Sequence, residues 1–303
     1  MASFTVRSLY DALDGLIPRS LSCDWDNDGL SCCPNPDAPV TGVLVALDPT
    51  EEAVELAAGT GCNVLLTHHP LLFRGLKTVD GRDTNSRKVI RMIGAGISSM
   101  AFHTRLDALN GGVNDALAAA LGLAGAVAFG EASSPAGNPM GRMGTLPHPL
   151  PMESFAEYVA GCLTVPATLG VPAVGGGTLF RFTVPGSGEC AEAVATHYVE
   201  HLTPVTPRIT YAGCGRPAHA VAVVGGAGED EIAAAIRGGA DTFVTGELGY
   251  HRLCDAPYGP INLVEAGHYF TEFPVCRSLA ALVAWICPNL PIHLMGGTRV
   301  RSV

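Results

Sequence analysis

Short apolar runs alternate with amphipathic stretches through most of this chain, and that alternation narrows the fold more than any other feature. VTGVLVALD is followed by TEEAVELAAGTG, then by NVLLTHH, SRKVIRMIGAG, ISSMAFH and GVNDALAAALGL. The runs have the length of buried strands, and the stretches between them carry apolar residues at helical spacing. Strand and helix in succession make βαβ units, and these imply a largely parallel sheet with helices on its faces. In such sheets ligands collect at the carboxyl ends of strands, so the residues at those ends become the first functional candidates.

After Phe129 the composition turns to Gly, Pro and Ser in GEASSPAGNPMG, which reads as a linker or domain boundary. MGTLPHPLPMESFAEYVAGCL reads as a strand and a helix, and FRFTVPGSGECAEAVATHYVEHL as another strand and helix. The series then resumes with AVAVVGGAG, EDEIAAAIRGGA, DTFVTGEL and INLVEAGH. The second half echoes the first. The expected architecture is therefore α/β, with two similar α/β domains built on mainly parallel sheets; the histidines and carboxylates at three strand ends, His68, His69, His103, Asp107, His268 and Glu272, add the expectation of a dinuclear metal site in the cleft between them. MASFTVRSLYDALDGLIP reads as an amphipathic first helix and not as a targeting segment. SLAALVAWICPNL, shortened by Pro288, suits a core helix, and no run reaches membrane-spanning length.

The net charge of −10 leaves no basic excess to neutralise a phosphate backbone, which argues against nucleic acid as a partner. The ten cysteines are scattered without a CxxC pair, so structural thiols and a cytoplasmic location are expected. Cys32 and Cys33, in SCCPNPD, are the pair most open to oxidation or adventitious metal uptake.

Three apolar runs end in metal-donor chemistry. NVLLTHHPLLF carries His68 and His69, MAFHTRLDAL carries His103 and Asp107, and LVEAGHYFTE carries His268 and Glu272 at i,i+4 spacing. Imidazoles and carboxylates suit zinc, manganese, iron or nickel. Adjacent side chains such as His68 and His69 diverge, so they serve two ions more easily than they chelate one, and Glu272 is the candidate bridge. His251, in VTGELGYHRL, either orients a ligand or touches substrate, or is a surface residue in a turn. VVGGAGEDE reads as a phosphate-binding turn or as a plain strand-to-helix turn, since it lacks both GxGxxG spacing and a P-loop lysine. Asp24, Asp26, Asn27 and Asp28 form a polar loop that Trp25 and Leu30 could pin against the core at the border of the cleft. His148, His197, His201, His219 and His293 show no partner pattern. No GxSxG is present, so chemistry is expected from metal-activated water.

WDNDGL, LLTHHPLLFRGLK, HTRLDALNGGVNDALAAALGL, GADTFVTGELGYH and AGHYFTE, in this order, resemble the Nif-three-like dinuclear metal centre hexameric proteins, also known as the GTP cyclohydrolase 1 type 2 family. The resemblance implies two divalent ions per chain, held by His68, His69, Asp107, His268 and Glu272. It places His103 near the metals, and it implies a toroidal homohexamer. It also implies that the last strand, near Pro291 to Arg301, returns to the first domain. The expected domains are thus residues 1–130 plus 289–303, and residues 131–288 with a short extra segment near 175–206. The implied function is a metal-dependent hydrolase acting on a small molecule, a nucleotide such as GTP or a phosphoester, with His103 or His251 as proton shuttle. The alternative is a non-catalytic metal-binding, delivery or regulatory scaffold protein. The family's HTNLD reads HTRLD here, so Arg105 is expected either to reach an anionic substrate or to point to solvent.

Overall fold

A computed structural model of the chain describes residues 4–132, 139–166, 168–169, 171–173, 176–187 and 189–300. In chain order the elements are α1 (Val6–Leu16), β1 (Gly29–Cys32), β2 (Val43–Ala46), α2 (Glu51–Thr60), β3 (Val64–Thr67), α3 (Thr84–Ala95), β4 (Ser98–Ala101), α4 (Thr104–Ala108) and α5 (Val113–Ala120). Then come β5 (Ala124–Ala132), β6 (Pro139–Leu150), α6 (Met152–Leu163), β7 (Val171–Pro172), β8 (Thr178–Thr183), β9 (Cys190–Ala195), β10 (Tyr198–Leu202), β11 (Thr210–Ala212) and β12 (Ala218–Val224). The chain continues with α7 (Ile232–Gly238), β13 (Thr242–Thr245), α8 (Tyr250–Asp255), β14 (Asn262–Glu265), α9 (His268–Glu272), α10 (Pro274–Ile286) and β15 (Ile292–Gly296).

Local chemistry explains the helix ends. α1 starts in a capping box, where the Ser8 amide donates to Thr5 Oγ1 at 3.1 Å and the Thr5 amide donates to Ser8 Oγ at 2.8 Å. Its buried face is Val6, Leu9 and Leu13, at i, i+3 and i+7. Asp83 caps α3 by accepting from the Ser86 amide.

The chain divides into two compact units. The first comprises Met1–Leu106, Thr168–Leu202 and Cys276–Gly296, and its sheet runs in the order β1-β4-β3-β2-β15-β10. β4, β3, β2, β15 and β10 are mutually parallel, and β1 lies antiparallel at the edge. Every residue of β2 and β3 is buried, as expected for parallel strands covered on both faces. The return of β15 to this sheet agrees with the family's chain order.

The second unit comprises Asp107–Ala167, Thr203–Val275 and Gly297–Val303, with sheet order β11-β14-β13-β12-β6-β5. β14, β13 and β12 are parallel, whereas β11, β6 and β5 pair antiparallel, so this sheet is mixed. Alternation along β12 sends Val221 and Val223 into a cluster with Phe155, Val159 and Leu117, while Ala222 and Val224 join Phe243 and Ala235 on the other face. Each sheet thus has an antiparallel edge strand, three adjacent parallel strands, and two further strands beyond them.

The division differs from the expected one. Residues 107–130 lie in the second unit because α5 and its C-terminal turn place Leu117, Leu121 and Leu123 in that unit's core. α10, from Cys276 onward, lies in the first. The described flanks of the Gly/Pro/Ser stretch are β5 and β6, paired as a hairpin, and residues 133–138 of that expected linker lie outside the described residues.

FRFTVPGSGECAEAVATHYVEHL contains no helix among its described residues. It forms β8, β9 and β10. Ala193 and Ala195 point inward and Glu192 and Val194 outward, a period of two that overrides alanine's helical preference. Arg181 and Glu192, opposite each other in register, form an ion pair at 2.8 Å. β10 supplies an edge strand to the first unit's sheet, so the extra segment near 175–206 is partly integral to the fold.

Candidate metal centre

In the first unit, three neighbouring parallel strands deliver the donors. β3 ends at Thr67, and His68 and His69 follow; β4 leads through Phe102 to His103; β2 leads to Asp48. His68 is fully buried, and its Nδ1 lies 3.0 Å from the Phe102 carbonyl oxygen. His69 Nδ1 lies 2.7 Å from Asp48 Oδ1, and His103 Nδ1 lies 3.0 Å from Asp26 Oδ1. The neutral acceptor of His68, a carbonyl, can only receive a proton. Its Nδ1 is therefore the donor, and Nε2 carries the lone pair. A carboxylate imposes the same tautomer on His69 and His103. One ligand atom from each of the three histidines lies within 4.8 Å of the others, a group able to hold a metal ion.

The polar loop predicted at the border of this site braces it. Asp26 also accepts from the Thr104 amide at 3.0 Å and from Thr104 Oγ1 at 2.6 Å. Burial pushes the Asp26 carboxyl upward, but the bonds from His103 and Thr104 outweigh that effect and hold it well below the usual carboxylate range. Asp28, with no exposed side-chain surface, accepts from the His103 amide at 3.2 Å and from Arg105 Nε at 2.8 Å. Trp25, by contrast, does not pin the loop to the core; it is 63% exposed.

Arg105 neither reaches toward a substrate nor points to solvent. It is fully buried, donating to Asp28, to Asp14 Oδ1 at 2.6 Å and to the Ile17 carbonyl at 2.8 Å, with its guanidinium 4.5 Å from the Phe102 ring centroid. Burial lowers its pKa, but the bond to Asp14 and the charge of Asp28 more than reverse this, so the group stays cationic. The long cation is accommodated because the preceding helix and loop supply two acids, Asp14 and Asp28, to receive it. Gly29, at φ 105°, is needed where β1 begins, since a Cβ there would come within 2.9 Å of the Tyr10 hydroxyl and 3.1 Å of Arg19.

In the second unit, His268 opens α9 just after β14, and Glu272 follows one turn later with its side chain almost wholly buried. His268 Nε2 lies 3.1 Å from Glu272 Oε2, and its Nδ1 lies 2.7 Å from Glu247 Oε1. Glu247 stands just past the end of β13. Asp107 is partly buried in α4, and its carbonyl accepts from Asn114 Nδ2 at 3.2 Å.

The glycine-rich turn after β12 proves to be neither an anion cradle nor a plain connector. Its amides are taken within the protein: Gly225 donates to Asn114 Oδ1, Gly226 to Thr271 Oγ1 and Gly228 to Thr245 Oγ1. At Gly226, φ is 64°, and a Cβ would collide with Glu272 Oε1 and come within 3.2 Å of His268 Nε2. The turn leaves room for the donor pair.

His251 is exposed on α8, with its ring edge-on to Tyr250, while Glu247 from the same stretch is the residue that engages His268. His201 and His293, which show no partner pattern in the sequence, pair across β10 and β15 at 3.0 Å from Nε2 to Nδ1. The sequence reading missed Asp48, Asp26, Asp28 and Glu247 as supports. Asp48 and Glu247 carried the same signal as the histidines, a polar residue just past a parallel strand. Asp26 and Asp28 carried none that separates them from any acidic turn. The ten cysteines are free thiols. Among the described residues no helix is long and apolar enough to cross a membrane.

Comparison with known proteins agrees with the motifs. The family model Duf34/NIF3 (NGG1p interacting factor 3) matches residues 4–176 and 175–294. A GTP cyclohydrolase 1 type 2 homolog of Streptomyces coelicolor is 33% identical over 276 residues, covering 89% of this chain and 82% of that protein. One from Clostridium acetobutylicum is 26% identical over 279 residues, covering 90% and 87%. The fold is similar to that of a Staphylococcus aureus hypothetical protein, with TM-score 0.78, 22% identity and 100% of both chains covered. It is also similar to a Bacillus cereus protein related to NIF3, with TM-score 0.74, 21% identity, and 100% of this chain and 99% of that one covered. With the family model spanning nearly the whole chain and the sequence motifs standing at the strand ends of both units, the protein belongs to the Duf34/NIF3 family.

Proposed function

We propose that this chain is a metal-dependent hydrolase in which His68, His69, Asp107, His268 and Glu272 hold two divalent ions. One observation carries the reading. His68, His69, His103 and His268 each have Nδ1 against an oxygen acceptor, namely Phe102 O, Asp48, Asp26 and Glu247. Metal-ligating histidines characteristically donate their second ring N–H to a carboxylate or carbonyl, which fixes the ring and raises the basicity of the ligating nitrogen. His201 and His293, remote from the strand-end donors in sequence role, instead hydrogen-bond nitrogen to nitrogen. The donor set of imidazoles and carboxylates fits zinc, manganese, iron or nickel.

A dinuclear centre of this type supplies Lewis acidity and lowers the pKa of water. The chain's own residues do the rest. Asp48, Glu247 and the Phe102 carbonyl hold their histidines in one tautomer, and Glu272 offers a carboxylate for bridging. His103 is assigned the proton transfer in preference to exposed His251, because Asp26 orients its Nδ1–H and leaves Nε2 to exchange a proton. The relatives' name makes hydrolytic opening of GTP the first reaction to test. A homohexamer and a cytoplasmic location belong to the same proposal, on the family resemblance.

The test is elemental analysis of wild type and Glu272→Ala, with the same samples assayed on GTP and a panel of phosphoesters. About two ions per wild-type chain, fewer in the variant, and turnover that falls with metal content are expected. Full occupancy without turnover on any substrate would favour the non-catalytic metal-binding role, and absence of metal would overturn the assignment.

A further inference from the structure

Beside the histidines of the first unit lie two large aromatic side chains that the fold leaves open to solvent. Trp25 is 63% exposed and Phe73 46% exposed. Their ring centroids are 5.9 Å apart at 66°, and each meets the His103 ring edge-on, Trp25 at 6.4 Å and 77° and Phe73 at 6.0 Å and 90°. His103 in turn lies 5.2 Å from His68 and 5.6 Å from His69, centroid to centroid. The two aromatic rings therefore border the donor group through His103, one of its members.

The loops that carry the pair are braced. Next to Trp25, the Asp26 carboxylate is fixed by His103 and Thr104, and the Asp26 amide donates to the Cys23 carbonyl at 3.0 Å. Cys23 is itself tied through its amide to Thr104 Oγ1 at 2.9 Å. Asn27 Nδ2 donates to the carbonyl of Leu72, which joins the Trp25 loop to the residue preceding Phe73. A tryptophan and a phenylalanine held in place yet uncovered keep unsatisfied apolar faces at the rim of a polar site. Ligand sites combine these same elements, apolar and aromatic walls with a few convergent polar groups. Aromatic faces bind flat rings by stacking, with little loss of side-chain freedom.

We infer that Trp25 and Phe73 form a ring-binding subsite that seats a flat aromatic group of the substrate beside His103. This deepens the proposed hydrolase and rests on it for the location of the chemistry. Flat rings come from two sources, a purine or a simple aryl group, and both share the stacking chemistry. The subsite sets which bond is presented to the donor group, so it acts on specificity.

Wild type, Trp25→Leu, Phe73→Leu and Trp285→Phe are compared after elemental analysis. The chain has two tryptophans, so Trp285→Phe leaves Trp25 as the one fluorescent indole. Guanosine, phenyl phosphate and ribose 5-phosphate are titrated by equilibrium dialysis into all four proteins, with tryptophan emission followed in Trp285→Phe. A ring-bearing probe is expected to bind wild type and to quench Trp25. Trp25→Leu and Phe73→Leu are each expected to weaken that binding roughly fivefold or more, with metal content unchanged and no quenching by ribose 5-phosphate. Guanosine alone binding identifies a purine, and phenyl phosphate alone an aryl group. Equal binding by both leucine variants, or no binding and no quenching by either ring-bearing probe, overturns the inference. Guanosine carries no phosphate for a metal to hold, so its titration reads the subsite even if the elemental analysis has sunk the hydrolase.

Discussion

Replacing Arg105 by methionine would remove a buried cation while keeping most of its volume. The consequence can be worked out from its partners. Asp28, with no exposed side-chain surface, would lose its 2.8 Å ion pair, retaining Ser22 Oγ at 3.2 Å, the His103 amide at 3.2 Å and Arg19 at 3.6 Å. Asp14, about a third exposed, would turn to water more easily. Breaking one side of a buried pair costs about 3–5 kcal/mol, because the remaining charge loses its closest compensation, and the partners that Asp28 retains point to the lower half of that range. At about 2–4 °C per kcal/mol for a unit of this size, the melting temperature should fall by about 6–20 °C. Urea unfolding monitored by circular dichroism gives the free energy directly, and a double-mutant cycle isolates the pair. Arg105→Met with Asp28→Asn should be less damaging than the sum of the single changes by about 1–3 kcal/mol. A loss below about 1 kcal/mol for Arg105→Met, or strict additivity in the cycle, would show that Asp28 does not depend on Arg105 and would refute the reasoning.

Gly226→Ala should reduce metal content in elemental analysis while costing about 1–3 kcal/mol of stability, since it forces both a left-handed backbone and a collision with Glu272; normal metal content would contradict the assigned role of the turn. Asp48→Ala and Glu247→Ala should each weaken metal affinity by about 10–100-fold in chelator competition, with little change in the apo melting temperature. The His201–His293 pair predicts a pH effect: burial lowers both pKa values from 6.5, so the unfolded chain binds more protons as pH falls below that point. Stability from this pair is full above about pH 6.5 and declines below it, and His201→Gln should flatten the melting temperature between pH 7.5 and 5.5.

The sequence exposed the elements whose periodicity is strong. α1, β2, α2, β3, α3, β4 and α5, and later β12, α7, β13 and β14, lie where apolar spacing placed them, because buried strands and amphipathic helices write their environment into local pattern, whereas the short helices α4 and α8 left no such trace. β9 was hidden because alanine-rich segments satisfy helical spacing and short strands equally well, and the pairing with β8 that decides between them is not local. The three strand-end donor groups were legible for a different reason, since His and carboxylate residues are conspicuous after apolar runs. Arg105 was misread because its partners, Asp14 and Asp28, are distant along the chain, and nothing near residue 105 announces that two acids await it. Glu247 shows the limit of motif reading: it stands in the loop four residues before the histidine that drew attention, which lies on α8.

β15 is an interior strand of the first unit's sheet, hydrogen-bonded to β2 on one side and β10 on the other, although it is formed by residues 292–296. During synthesis the amino-terminal segment emerges first, with β2, β3 and β4 able to associate early. The exposed flank of β2 must then wait through the making of the entire second unit. An open apolar strand edge is a template for pairing with the wrong chain. Assembly of the unit that is begun first is therefore completed last, and any ribosomal stall or truncation before residue 292 leaves a nearly finished sheet with a gap between β2 and the edge strand β10. The vulnerability of this protein in the cell would lie in that interval, and a chaperone's work with it would be to guard one flank of β2.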